Sequence, residues 1–257
     1  MKNEISVEKI NLFWTGGWDS TFRLLLIVLE EQRIVQPYYL IDPNRKSLRL
    51  EIRAMREIKN LLFKEYPQTK SLIRPTKFYE IGDIAYDEEI SEAYKTYTQT
   101  IHLAFQYHWM SRFCKQFNIC DMEIGAENSP TALVLSQFLE RIGTSRKFKI
   151  AETVKGTPFY ILFKNMKFPI YGYTRHEMEE KASSSGWLKF LYMTWFCHYP
   201  VKERYPCGSC EPCDQVIRKG YPKRVPLHRR IDRALGLYKI KKAAGKIVRR
   251  VNSNLHK

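Results

Sequence analysis

The sequence predicts an α/β fold in which a mainly parallel five-stranded sheet is flanked by helices. Short apolar runs recur from Ile10 to Phe163, and between them apolar side chains return at helical spacing. Strands that alternate with helices pair in parallel and are covered on both faces. With 44% hydrophobic and 27% charged residues in 257, the chain can also bury one sizeable core. No internal repeat or low-complexity segment points to another architecture.

The elements follow in order. Ile10–Trp14 (INLFW) reads as the first strand and ends in Thr15-Gly16-Gly17, a tight turn. A helix follows from about Ser20 to Gln32, with Phe22, Leu25, Leu26 and Leu29 on its buried side. Tyr38–Ile41 is the second strand and Ser47–Phe63 the next helix, after which Pro67 and Pro75 bracket a loop. Phe78–Ile81 is the third strand. Tyr94, Tyr97, Ile101, Ala104, Phe105 and His108 share a helical period, which predicts one long helix over Glu88–Phe117. Met122–Gly125 is the fourth strand and Ala132–Arg141 a further helix. The continuous run Phe159–Phe163 (FYILF) predicts a fifth, buried strand.

Thr15-Gly16-Gly17-Trp18-Asp19-Ser20-Thr21 joins the first strand to the first helix. Two glycines allow a sharp turn that exposes backbone N–H groups, and the helix adds the positive end of its dipole. Ser20 and Thr15 supply hydroxyl donors, and Asp19 either caps the helix or acts through Mg2+. Such a cradle suits a phosphate chain. It is not a Walker A loop, because the Gly-Lys-Ser/Thr ending is missing.

The second cluster is Cys197-x9-Cys207-x2-Cys210-x2-Cys213, four thiols within 17 positions. Four sulfurs at this spacing fit a closed structural Zn2+ site, and Gly208 gives the turn that lets Cys207 and Cys210 face one ion. His198 stands beside the first ligand as a substitute donor. Cys114 and Cys120 are isolated and read as small buried apolar side chains.

The formal net charge of +16 is uneven. From Tyr221 to Lys257 twelve Lys or Arg face one acid, Asp232, so this stretch carries +11. Leu227–Val251 reads as an amphipathic helix in which Ile231, Leu235, Tyr238, Ile247, Val248 and Val251 form an interrupted apolar stripe. Its expected partners are nucleic acid, an anionic membrane surface or an acidic protein. The N-terminal MKNEISVEKI has no apolar signal core, so the expected location is the cytoplasm. The chain divides into a nucleotide-binding domain (1–190), a four-cysteine subdomain (191–220) and a basic helical tail (221–257).

The hexapeptide Thr15–Ser20 resembles the Ser-Gly-Gly-x-Asp-Ser signature of PP-loop ATP pyrophosphatases, with Thr15 in place of the first serine. Phe168-Pro169-Ile170-Tyr171-Gly172-Tyr173-Thr174-Arg175-His176-Glu177 resembles a Pro-x4-Thr-Lys-x-Glu element of 7-cyano-7-deazaguanine synthases, the QueC family. Thr194-x2-Cys197 and the later cysteines follow as that family's zinc module does, and Arg49-x-Glu51 matches its basic helix. The resemblance implies an adenine-nucleotide α-hydrolase-like (HUP) fold. It also implies an ATP-dependent ligase that adenylates a carboxylate, releases pyrophosphate and lets ammonia or an amine displace AMP. Thr15, Gly16, Gly17, Trp18, Asp19, Ser20 and Thr21 would then hold ATP and Mg2+, with Asp19, Ser20 and Arg175 in catalytic roles. Arg175 replaces the family's phosphate-binding lysine. The departures fall on the substrate side. Thr98-Gln99-Thr100-Ile101 replaces an Arg-Asn pair, and Gly125-Ala126-Glu127-Asn128-Ser129-Pro130-Thr131 replaces the family's substrate loop. The expected substrate is therefore a carboxylate other than the usual deazapurine, with a homodimer as the expected assembly. Genuine 7-cyano-7-deazaguanine synthesis, tRNA modification by a PP-loop enzyme and a nucleotide-binding pseudoenzyme are the alternatives.

Overall fold

The computed structural model describes residues 9–99, 103–127 and 133–236. The chain forms two compact units, Met1–Asn44 with Glu51–Thr194, and Arg45–Leu50 with Trp195–Lys257. Among the described residues no helix is long and apolar enough to cross a membrane.

The first unit is built on a seven-stranded sheet. Its strands are β1 (Ile10–Phe13), β2 (Val35–Ile41), β3 (Lys77–Glu80), β4 (Met122–Glu123), β5 (Leu139–Arg141), β6 (Phe148–Ile150) and β7 (Met166–Phe168). They lie in the order β3-β2-β1-β4-β7-β6-β5. The pairs β1–β2, β2–β3, β1–β4 and β4–β7 are parallel, whereas β5–β6 and β6–β7 are antiparallel. Register in the centre is fixed by Ile10 opposite Val35 and Leu12 opposite Glu123.

The helices are α1 (Trp18–Leu25), which continues as a π turn over Leu26–Glu30, α2 (Leu48–Glu65), α3 (Thr69–Leu72), α4 (Glu88–Thr98) and α5 (Gln106–Gln116). They continue with α6 (Leu133–Ser136), α7 (Pro158–Phe163), α8 (Arg175–Ser184), α9 (Leu188–Tyr192), α10 (Glu211–Arg218) and α11 (Leu227–Ala234). The core joins Phe13, Met122, Ile124 and Phe168 on the sheet side to Phe113, Phe159 and Phe163 on α5 and α7.

Several expectations are corrected. The sheet has seven strands rather than five, because Leu139–Arg141 and Phe148–Ile150 form an antiparallel hairpin and Met166–Phe168 joins β4. Phe159–Phe163 is helical: Thr157 caps it by accepting from the Tyr160 N–H, and Pro158 occupies the first turn. The expected Ala132–Arg141 helix ends at Ser136. The long helix is two, α4 and α5, with Leu103 and Ala104 outside both. Loop 67–75 contains the short α3. In the tail, α11 ends at Ala234 and Gly236 takes φ +69°, a left-handed stop, so no continuous helix runs from 227 to 251. Tyr238, Ile247, Val248 and Val251 lie outside the described residues, as do Thr100, Ile101 and 128–132.

One buried ionic cluster ties α1 to the sheet. The Arg23 side chain is fully buried and donates Nε and Nη2 to both oxygens of Glu123 at 2.6 and 3.0 Å. Its Nη1 and Nη2 also reach Glu31, which receives Lys147 Nζ at 2.9 Å. Burial pushes the Glu31 carboxyl up, but hydrogen bonds and charge from Arg23 and then Lys147 outweigh it and lower the group from 4.5 to about 2. A depressed carboxylate contributes stability that is present above its unfolded pKa and lost as pH falls toward the folded one. Wild type should therefore exceed Glu31→Gln by about 2 kcal/mol near neutral pH. The gap should shrink as urea titrations move from about pH 5 to about pH 2. A gap that stays constant with pH would rule this linkage out.

Candidate functional site

In an open α/β sheet, ligands bind beyond the carboxyl ends of strands where the strand order reverses. Here β2 and β3 lie to one side of β1 and β4 to the other, so the switch point falls between β1 and β4. The chain leaves β1 into Thr15–Gly17 and leaves β4 into Gly125–Glu127. The first is the glycine turn read as a phosphate cradle, and the second begins the segment that stands in place of the family's substrate loop.

Gly16 turns the first segment with φ +68°, and a Cβ there would sit 2.9 Å from Met55 Cγ and 3.0 Å from the Glu51 carbonyl oxygen. Only glycine satisfies both the torsion and the space. Gly17 is the N-cap of α1 and no side chain caps that helix, so its positive end is turned to the loop. The loop is closed on itself by hydroxyls. The Thr15 N–H donates to Ser20 Oγ at 3.3 Å, Thr15 Oγ1 lies 3.3 Å from Ser20 Oγ, and the Gly17 N–H points to Thr15 Oγ1 at 3.4 Å. Thr15 is exposed at the mouth, whereas Ser20 is buried. Thr21 faces the core instead: its Oγ1 accepts from Trp14 Nε1 at 3.0 Å and its N–H donates to the Gly17 carbonyl. Thr21 thus supports the turn from beneath.

The second segment presses against the first. A Cβ on Gly125 would lie 2.7 Å from the Ser20 backbone nitrogen and 3.0 Å from the Asp19 carbonyl carbon. Glycine at this position lets the segment after β4 and the Thr15–Ser20 loop meet backbone to backbone.

Arg175 enters from the start of α8, whose capping box pairs Thr174 with Glu177. A cation at a helix N-terminus opposes the dipole, so its partners matter. Arg175 Nη2 lies 2.9 Å from Asp19 Oδ1 and Nε lies 3.0 Å from Glu127 Oε2. The guanidinium also stands over the Trp18 ring at 5.0 Å, and that ring meets Tyr192 edge-on. The structure therefore gathers Thr15, Gly16, Gly17, Trp18, Asp19, Ser20 and Arg175 at one crevice and adds Glu127. Tyr107 of α5, which no sequence motif marked, packs edge-on against Phe163. Burial raises the Tyr107 phenol; its hydrogen bond with Gln106 lowers it and the Asp19 carboxylate raises it further. A helical stripe of aromatics gave no sign that this one would feel Asp19.

The second unit carries the cysteines. Cys197 precedes a small bridge between Val201 and Tyr205, Cys210 caps α10, and Cys213 lies in its first turn. The four Sγ atoms lie within 4.8 Å of one another, with Cys207–Cys213 and Cys197–Cys210 at 3.9 Å. Backbone N–H groups point at sulfur: Cys207 to Cys197 at 3.1 Å, and Ser209 and Cys210 to Cys207 at 3.4 and 3.3 Å. The Ser209 and Cys210 N–H groups stabilise negative charge on the Cys207 sulfur and so favour the thiolate that a metal needs. Gly208 has φ +78°, and a Cβ there would lie 2.9 Å from the Arg229 side chain. His198 is exposed against Tyr199 and stands outside the group, so the first donor is Cys197. Of the isolated cysteines, Cys114 is buried and its thiol is raised to about 12, first by burial and then by Cys120. Cys120, expected to be buried, is exposed.

No family model and no curated protein matches the chain. Among solved structures it is similar to the U34-tRNA thiolase NcsA from Methanococcus maripaludis with its 4Fe–4S cluster. That likeness has 12% sequence identity, covers 91% of this chain and 72% of that one, and has a TM-score of 0.41.

Proposed function

We propose that this chain is an ATP-dependent enzyme of the PP-loop pyrophosphatase type, a QueC-like ligase that adenylates a carboxylate for attack by ammonia or an amine. The observation that carries the reading is the crevice at the β1/β4 switch point, where the Gly16–Gly17 turn and Arg175 converge on Asp19. The uncapped end of α1 and the Thr15 hydroxyl would receive phosphate oxygens. Arg175 would follow the charge that develops on the α-phosphoryl group and on the departing pyrophosphate. Asp19, partly exposed at the mouth, is the carboxylate that fits Mg2+, which neutralises phosphate charge when bound. The chain's own task is then orientation, holding a carboxylate in line with the α-phosphorus.

Zinc is the metal we assign to the cysteines. Four Zn–S bonds of ~2.3 Å at tetrahedral angles place sulfurs about 3.8 Å apart, close to the 3.9 Å pairs here. A four-iron cluster has a cube of metal and sulfide between its ligands and spreads them further than a single ion does. The role that fits four protein ligands is structural.

A second reading, adenylation of a tRNA base, is favoured by the +11 charge carried by 221–257. The test separates the readings. Wild-type protein with Mg·ATP should release pyrophosphate and AMP in the presence of the right carboxylate, and Asp19→Ala should lower turnover by about 10²-fold or more. Assays would pair ammonium with 7-carboxy-7-deazaguanine, with other carboxylates, and with unmodified tRNA alone. A nitrile from the deazapurine would restore the ordinary synthase, and release that requires tRNA would select the second reading. Wild-type protein that binds no ATP would overturn both.

A further inference from the structure

The formal charge of the chain is segregated between its two units. The first holds twenty-four Lys or Arg and twenty-three Asp or Glu, a formal +1, whereas the second holds nineteen against four, a formal +15. The crevice residues all lie in the first unit, so their chemistry does not account for this excess. Within the second unit the chain between Cys197 and Cys207 forms a small hairpin. Val201 and Tyr205 exchange backbone hydrogen bonds at 2.8 and 3.1 Å, and the Arg204 N–H donates to the Val201 carbonyl at 3.2 Å. At its tip Lys202 and Glu203 take φ +53° and +47°, left-handed positions that glycine or asparagine would fill with less strain. Two exposed tyrosines bracket that tip, Tyr199 at 59% and Tyr205 at 38%. Each has a cation over its ring, Lys46 Nζ 5.9 Å from the Tyr199 centroid and the Arg204 guanidinium 5.1 Å from that of Tyr205. Lys202 and Arg204 are exposed beside them, and the acid of the tip, Glu203, is matched by Arg49 at 3.3 Å.

We propose that this hairpin is a docking site for single-stranded nucleic acid. Tyr199 and Tyr205 are its stacking platforms, and Lys46, Lys202 and Arg204 meet the phosphates. A single strand offers bases and phosphates together, and the hairpin offers rings and cations together. An unpaired base stacks on an aromatic ring that is open to water, whatever its sequence, while a neighbouring cation neutralises the backbone. A duplex keeps its base faces stacked inside and would use the cations alone. An acidic protein would also use only the charge. An anionic lipid surface is met by Trp, Phe or Leu, and none of these occurs from Tyr199 to Tyr205. The site needs no nucleotide in the crevice, so it holds for either reading of the reaction.

The experiment is fluorescence anisotropy of a labelled twelve-residue oligouridine with the full chain, at about 150 mM salt and without ATP. Saturable binding is expected. The matching oligothymidine is run beside it, and a preference for either strand supports the proposal and names RNA or DNA as the source. Tyr199→Ala and Tyr205→Ala should each weaken binding about tenfold, while Tyr199→Phe and Tyr205→Phe keep the ring and should stay near wild type. Lys202→Gln should reduce the slope of log affinity against log salt by about 0.7, and Glu203→Gln should bind more tightly. An abasic strand of equal length should compete about tenfold less well than oligouridine. Phosphatidylserine vesicles and polyglutamate at equal charge should not displace the strand. In wild type, a thiouridine in the strand should crosslink under ultraviolet light to residues 199–205, a result that stands even where an alanine variant unfolds. An abasic strand that competes equally, or folded alanine variants that bind like wild type, would reduce the surface to undirected charge and overturn the proposal. So would absence of saturable binding, or a crosslink confined to other segments. Displacement by vesicles or by polyglutamate would overturn it in favour of lipid or of an acidic protein.

Discussion

Cys213→Ser is expected to strip the metal from the chain and unfold the Arg45–Leu50, Trp195–Lys257 unit. Cys213 is fully buried, lies in the first turn of α10 and sits 3.9 Å from Cys207. The second unit's small cysteine cluster, with Trp195 and Phe196 packed against it, offers little apolar burial of its own. Structural zinc in small domains supplies on the order of 10 kcal/mol of folding free energy, far more than this cluster supplies. Wild type should hold one zinc per chain by elemental analysis and show no visible absorbance. The variant should hold none and should exchange the amides of 197–234 rapidly with deuterated water. Cys114→Ala, a change at a buried thiol of the other unit, is the control and should keep its metal. Full metal content in Cys213→Ser would refute the four-sulfur site, and visible absorbance with iron in wild type would replace zinc by a cluster.

Gly125→Ala should displace the Thr15–Ser20 loop and disable the site. The added Cβ meets the Ser20 nitrogen at 2.7 Å and the Asp19 carbonyl carbon at 3.0 Å, both backbone atoms that cannot rotate aside. Either β4 or the Thr15–Ser20 loop must move, and on the proposed reading, in which the site orients its reactants, a shift of that size costs about 10²-fold in activity. The loop also packs on the core, so about 1–3 kcal/mol of stability should go with it. Gly143→Ala is the matched control. Its φ of +59° makes alanine somewhat strained, but open space surrounds it, so nucleotide binding should survive. Titration of both variants with Mg·ATP checks the contrast; equal affinities would mean that the β4 approach does not shape the loop.

The first half of the sheet and the loop were legible because their signals are local. INLFW followed by two glycines specifies a strand and a turn whatever lies elsewhere. The cysteine group was legible for the same reason, since spacing alone brings four sulfurs within reach. What failed depended on context. FYILF suits a buried strand or a buried helix equally, and Thr157-Pro158 decided for helix while Met166–Phe168 took the place in the sheet. The hairpin of β5 and β6 carries a Gly143-Thr144-Ser145 turn that was masked by an apparent helical period. Arg23 showed nothing in sequence, because its partner Glu123 lies in β4 and looks like an ordinary charge at a strand end. Glu127 stands in the sequence only as one residue of the segment that replaces the family's substrate loop, and its meeting with Arg175 is a fact of three dimensions.

The pairing of Leu12 with Glu123 also sets a timetable. Closing a chain over about 110 residues costs roughly 4 kcal/mol of loop entropy, against about 3 kcal/mol for the 25 or so between β1 and β2. The β1-β2-β3 edge can therefore assemble early, while the wall that completes the crevice comes from far downstream. At about 5–20 residues per second of synthesis, the Gly16–Gly17 turn emerges roughly 5–20 s before Gly125 does. During that interval the nascent chain has the Gly16–Gly17 turn without the Gly125 wall that packs against it. The crevice is therefore a feature that the polypeptide completes late and all at once.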